Sequence, residues 1–175
     1  DGFRSVLSFL ESEPMPGVGV VGISEWISAG ESSPKEGETP AEILEVLRSS
    51  ADFAERAGQS LLPVGGATSC VALDLIGMAS LGRYYAHKIA AALELLRFRA
   101  TGDQKHAELA RVELEAGVAA WEATGHAWAQ HYRAFDMPRT RHTFGYLFYL
   151  EDVRHDIVLA EEYVESLRRD GVAIS

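Results

Sequence analysis

The chain has 175 residues, 47% of them apolar and 24% charged, which is the composition of a globular domain large enough to bury about two thirds of its unfolded surface without a metal or disulfide staple. Its formal net charge of −10 argues against a duplex nucleic-acid partner and disfavours an anionic membrane surface, because both require a Lys/Arg face. The single cysteine, Cys70, excludes an internal disulfide, and no uninterrupted apolar run is long enough to span a bilayer.

Residues 1–38 differ from the rest, with seven acids against two bases. They read as an N-terminal appendage and linker ahead of a bundle over 39–170. Gly2 to Leu10 predicts a short amphipathic helix with Phe3, Val6, Leu7 and Leu10 apolar. Pro14-Met15-Pro16-Gly17 breaks it. Val18 to Ile23 reads as a short strand, Ser24-Glu25-Trp26-Ile27 follows directly, and the Gly-, Ser-, Pro- and acid-rich stretch 28–38 reads as a linker. A strand alone in a helical chain has nothing to pair with, which points to a sheet supplied from elsewhere. Asp1 likewise reads as an internal position of a longer polypeptide.

Thr39-Pro40-Ala41-Glu42 is a helix start: Thr39 caps, Pro40 fits the first turn, and Glu42 closes a capping box. One face of that helix is expected to carry Ile43, Val46, Leu47, Ser50, Phe53, Ala54 and Ala57, with Gly58 as its stop. Three long helices follow, over Ser69–Ala100, Gln104–Phe135 and roughly Phe144–Arg169. The first has two stripes at three- and four-residue steps. One is Val71, Leu75, Met78, Gly82, Tyr85, Ile89, Ala92 and Leu96; the other is Leu73, Ile76, Ser80, Tyr84, Lys88, Ala91 and Leu95. Two stripes imply two neighbours. The second helix has an alanine line (Ala116, Ala119, Ala123, running to His126) and an aromatic line (Trp121, Trp128, Tyr132, Phe135). Asp136-Met137-Pro138 is expected to break it. The last presents Leu147, Leu150, Val153, Ile157, Ala160, Val164 and Leu167. The fold class is therefore mainly α: an up-and-down bundle of three long helices plus one shorter helix, with a short helix–strand–loop appendage.

Few residues suggest chemistry. Asp152 and His155 share a face of the last helix, and with His126 they are the candidate metal ligands. A di-metal bundle needs matching Glu and Glu-x-x-His sets on other helices, which are absent, so an ion-paired or solvated face is the simpler expectation and no cofactor is called for. There is no G-x-S-x-G nucleophile motif. Cys70 is expected to be buried, as free cysteines usually are. Glu25 and Trp26, directly after the expected strand, are the candidate substrate-binding residues, because α/β barrels place ligand groups at the C-terminal ends of their strands.

Five segments taken together carry a resemblance. They are Thr39-Pro40-Ala41-Glu42, the run Leu81-Gly82-Arg83-Tyr84-Tyr85-Ala86-His87-Lys88-Ile89, Thr101-Gly102-Asp103, Ala119-Ala120-Trp121, and Leu150-Glu151-Asp152-Val153-Arg154-His155-Asp156-Ile157. In order and spacing, over roughly residues 18–165, the chain resembles the helical C-terminal region of large bacterial glycoside-hydrolase-like proteins from polysaccharide-degrading lineages. The resemblance implies a non-catalytic module that braces an upstream catalytic barrel, of the same polypeptide or a partner chain, and lines its glycan cleft. It places Val20 to Trp26 at the barrel's exit, the catalytic carboxylates upstream of Asp1 with Glu25 the one candidate inside the chain, and the protein outside the cytoplasm. The alternatives from the residues alone are a free-standing bundle binding a metal or small molecule, and a helical module that dimerises through its alanine line.

Overall fold

The computed structural model describes residues 3–31, 36–137 and 142–171, and the backbone but not the side chains of Met137, His142 and Phe144. Gly2 of the expected first helix, the centre of the 28–38 linker and Pro138 lie outside these residues. In chain order the elements are α1 (Val6–Glu11), α2 (Ile23–Ser28), α3 (Pro40–Leu61), α4 (Ala67–Thr101), α5 (Gln104–Ala129), an antiparallel hairpin of β1 (Phe135–Met137) and β2 (His142–Phe144), and α6 (Leu150–Arg169). Short 3-10 turns at Leu62–Val64 and Tyr146–Tyr149 extend α3 and lead into α6. The described residues form a mainly α bundle of several long helices.

The helix starts follow local chemistry. Thr39 Oγ1 accepts the Glu42 amide at 3.3 Å while the Glu42 carboxylate accepts the Thr39 amide at 2.8 Å, which closes the capping box of α3. Gly102, at φ 70°, takes the left-handed conformation that ends α4 and donates its N–H to Phe98 O at 2.8 Å. Asp103 then caps α5 by accepting the Lys105 amide at 2.9 Å.

α4, at 35 residues the longest element, touches α1, α2, α3, α5 and α6. Its second predicted stripe is the deeper one: Ser80, Tyr84, Lys88, Ala91 and Leu95 are all buried. The first stripe is split. Ala92 and Leu96 are buried in a core that also holds Val6 and Leu10 of α1 and Ala160 and Val164 of α6, whereas Val71, Met78 and Tyr85 stay exposed.

Several expectations are corrected by how the helices turn. α3 buries Leu44, Ala51 and Gly58 against α4 and leaves Val46 and Phe53 outside. Gly58 does not stop the helix; it sits where α3 crosses α4, and a Cβ there would lie 2.8 Å from Ala72 O. α5 buries Ala110, Leu114, Gly117, Trp121 and Thr124, so Ala119 and Ala123 of the alanine line, with His126, face outward. That helix ends at Ala129, not Phe135, because Phe135–Met137 pairs with His142–Phe144 instead. α6 accordingly starts at Leu150, after the 3-10 turn. The expected strand over Val18–Ile23 is reduced to one parallel bridge between Val20 and Glu38: Glu38 donates to Gly19 O at 2.7 Å and Val21 donates to Glu38 O at 2.9 Å. Its partner is thus part of this chain. Ile23 already belongs to α2, whose Trp26 buries with Val21 against Leu44, Ala86, Ala90 and Leu93.

The centre of the molecule holds an ion pair. Lys88 Nζ and Asp156 Oδ2 are 2.8 Å apart, and both side chains are 2% exposed. Asp156 Oδ1 also accepts the Val6 amide at 2.7 Å, while Lys88 donates to Tyr84 Oη at 2.9 Å and to the Arg4 carbonyl, with the Phe3 ring 4.1 Å from the ammonium. Burial pushes the Asp156 carboxyl above its ordinary 3.8 and the Lys88 ammonium below its ordinary 10.5, and the pairing offsets only part of each shift. A carboxyl with a raised folded pKa contributes stability that is complete below the unfolded value and declines as pH rises through the folded one. Lys88→Met removes the main group that counters this rise. The variant is expected to lose about 3–5 kcal/mol near neutral pH, because a buried charge is left uncompensated. The deficit relative to wild type should narrow from neutral to acidic pH, as Asp156, whose carboxyl burial already raises, protonates in the fold. Urea unfolding at neutral and at acidic pH checks this; a deficit that does not change with pH would contradict it.

Candidate functional site

At the opposite end from α1 and α2, the start of α4, the end of α5, the hairpin and the 3-10 turn enclose a cleft of about 640 Å³. Small residues bring its walls together. Gly77 of α4 admits the Trp128 indole so closely that a Cβ there would lie 2.2 Å from Nε1, which is buried and has no hydrogen-bond partner among the described residues. Gly125 of α5 admits Leu147, whose Cδ2 would lie 2.6 Å from an added Cβ. Trp121 Nε1 donates to Tyr146 O at 2.7 Å, which holds the 3-10 turn against α5. Ring contacts extend from this bond, with Tyr84 and Trp121 centroids 4.7 Å apart and Trp128 and Tyr146 centroids 4.3 Å apart. Burial raises the Tyr84 and Tyr146 phenols above their ordinary values, so both remain neutral hydroxyls.

The rim is aromatic and open. Tyr132, Phe135 and Phe148 are each more than half exposed, as is Met78. Two charged groups, Asp74 and Arg133, line the same cleft. Asp74 is held by two donors: His131 Nε2 at 2.9 Å from Oδ1 and Tyr132 Oη at 3.2 Å from Oδ2. The hydrogen bond to Asp74 raises the Tyr132 phenol above its ordinary value. Among the described residues, the buried His131 Nδ1 has no hydrogen-bond partner. Ring faces with one carboxylate and one guanidinium at their edge suit a flat amphipathic ligand better than a purely apolar one.

The sequence candidates lie elsewhere. Trp26 is a core residue, 8% exposed, and Glu25 stands on the outer side of α2; neither lines the cleft. Asp152, His155 and His126 are all exposed, on α6 and α5. Among the described residues no group of three or more His, Cys, Asp and Glu side chains converges as a ligand set. Arg154 pairs with Glu151 and Glu122 at 2.9 Å each, whereas Asp156 of the same acidic cluster turns inward and is buried against Lys88. Cys70 is exposed rather than buried, on the same uncovered first turns of α4 as Val71.

Of the cleft residues, Trp128, Tyr132 and Phe135 fall on the aromatic line of the second long helix and Met78 on a stripe of the first. Asp74 and His131 lie 57 positions apart and meet only through the pairing of α4 with α5. Comparison with protein-family models, with curated proteins and with solved structures gives no match.

The cleft wall depends on Gly77. Alanine is favoured over glycine in a helix by about 1 kcal/mol, yet Gly77→Ala is expected to destabilise by about 1–3 kcal/mol, because its methyl group displaces the indole. The Trp128 displacement should red-shift tryptophan emission; unchanged emission with raised stability would contradict this packing.

Proposed function

We propose that this chain is a non-catalytic helical module that contacts a glycan through the aromatic cleft while bracing a catalytic neighbour, the role implied by its resemblance to the helical regions of glycoside-hydrolase-like proteins. One observation carries the proposal: the largely exposed side chains of Tyr132, Phe135 and Phe148 stand beside Asp74 and Arg133 around a single cleft. A sugar ring has an apolar C–H face that stacks on an aromatic side chain, and equatorial hydroxyls that exchange hydrogen bonds with a carboxylate and a guanidinium. The chemistry of the rim matches both halves. Because Asp74 is already tied to His131 and Tyr132, it is held in place to accept from a ligand hydroxyl. The wall behind the rim is ordered by the Trp121–Tyr146 hydrogen bond and the close fit at Gly77, so stacking would cost little further ordering.

Titration of the chain with neutral oligosaccharides of glucan, xylan, mannan and galactan type, followed by tryptophan emission, tests the proposal. One of these classes should give a saturable change, since Trp128 forms the cleft wall. Phe148→Ala, which removes an exposed ring, should weaken that binding by up to about tenfold, the equivalent of one aromatic stacking contact. No saturable change with any class, or binding indifferent to Phe148 and Tyr132, would overturn it.

A further inference from the structure

We propose that the sugar taken by the cleft is acidic, a ring with a carboxylate at its edge as in a uronic acid, and that this carboxylate sits on Arg133; this rests on the glycan reading of the same cleft. Asp74 and Arg133 are the charged side chains that line it. They are opposite in sign, yet they do not pair with each other. Asp74 commits Oδ1 to His131 Nε2, at 2.9 Å, and Oδ2 to Tyr132 Oη, at 3.2 Å. Arg133 stands in the connection between α5 and the hairpin and is exposed. Among the described residues no hydrogen bond or ion pair occupies its guanidinium. Other exposed arginines, Arg48 and Arg56 of α3 among them, are likewise uncommitted. What singles out Arg133 is its place beside Tyr132, Phe135 and Phe148 around the cleft.

The unlike charges select among sugars. A guanidinium presents a planar fork of N–H donors, which a hydroxyl meets with one neutral acceptor and a carboxylate with two ionised oxygens. Each charge-assisted bond is about twice as strong as a neutral one. A carboxylate can replace the hydroxymethyl group of a sugar without altering its apolar C–H face, so stacking on the aromatic side chains is kept. A sulfate ester, being a far weaker base, accepts hydrogen bonds less strongly. Asp74 repels the ligand carboxylate but accepts from hydroxyls. The ring is therefore expected to lie one way round, with its carboxylate toward Arg133 and its hydroxyl donors toward Asp74.

Two effects limit the gain. The net charge of −10 opposes any anion at a distance, and solvent weakens an ion pair at an exposed guanidinium. At about 0.15 M salt, repulsion from charges beyond about 8 Å is largely screened, whereas a direct contact is not. The expected preference is about fivefold in affinity, the upper end of what an exposed pair gives. A long polyuronate brings many carboxylates to one arginine and to an acidic protein, so a chain end or a short acidic branch is the fitting ligand.

Titration of the full chain near neutral pH and about 0.15 M salt, followed by tryptophan emission, tests the proposal with matched short oligosaccharides. The pairs are galactose with galacturonate, mannose with mannuronate, glucose with glucuronate, and xylan fragments with their glucuronate-branched forms. In the class that responds, the uronate should bind about fivefold tighter than the neutral form, and its methyl ester should return to the neutral value. Arg133→Gln should bring that ratio of affinities to about one or below, and Arg133→Lys should leave it between the two. Damage to the cleft would weaken both forms alike and leave the ratio standing, so the ratio reports on Arg133 itself. A uronate no tighter than its neutral counterpart overturns the acidic ligand and leaves the glycan reading intact. So does a preference that survives Arg133→Gln, or a sulfated sugar that binds tighter than the uronate. Absence of binding by every form, neutral and acidic, removes the glycan reading and the acidic ligand with it.

Discussion

The buried pair between Lys88 and Asp156 is the constraint on which the other contacts depend. Two full charges at 2% exposure are tolerated only where every polar atom around them has a partner. The fold supplies those partners from three separate stretches of chain. Tyr84 comes from α4 itself, the Arg4 carbonyl and the Val6 amide come from the N-terminal segment, and Asp156 comes from α6. The pair therefore ties the first residues of the chain to the last long helix across α4. The same tie sets Val6 and Leu10 in the core beside Leu95 and Leu96.

This arrangement gives the molecule two unlike ends. Where α4 runs into α5, the side of α4 facing the N-terminal segment is closed by α1, α2 and α6, and the cores around Leu95 and around Trp26 are continuous through Ile23 and Ile27. Where α4 begins, the same side is bare. There the chain spends its aromatic residues on a cleft instead of a lid, and leaves Phe53, Met78 and Phe148 to solvent. A monomer with uncovered apolar surface on one half and a close-packed core on the other is the expected shape of a module built to make contact.

Much of the scaffold was legible because it is written locally. The capping box at Thr39 and Glu42, the stop at Gly102 and the cap at Asp103 all lie within four residues of what they control. The facing of each helix was not. α3 and α5 carry apolar residues on more than one side, so spacing alone could not say that Val46 and Ala119 look outward while Leu44 and Leu114 look in. The aromatic line of α5 kept helical spacing through Tyr132 and Phe135, which hid the end at Ala129; only the pairing of Phe135 with Phe144 across the hairpin accounts for it. Lys88 stood on an apolar stripe and Asp156 in an acidic cluster, 68 positions apart, so their partnership required the packing of α4 against α6. The cleft was hidden for the same reason, since Asp74 meets His131 only through tertiary structure.

Residue-resolved hydrogen exchange on the intact chain tests most directly the claim that one end is sealed by the buried pair while the other is left open for contact. The account predicts that the Val6 amide and the amides of α1 exchange as slowly as those of α4 around Tyr84 to Phe98, in one cooperative unit. The amides of Tyr132 to Phe135 and of Tyr146 to Phe148 should exchange far faster and slow when the cleft is filled. If the N-terminal segment exchanged at free-peptide rates while α4 remained protected, or if the cleft segments were already as protected as the sealed end, the claim would be contradicted.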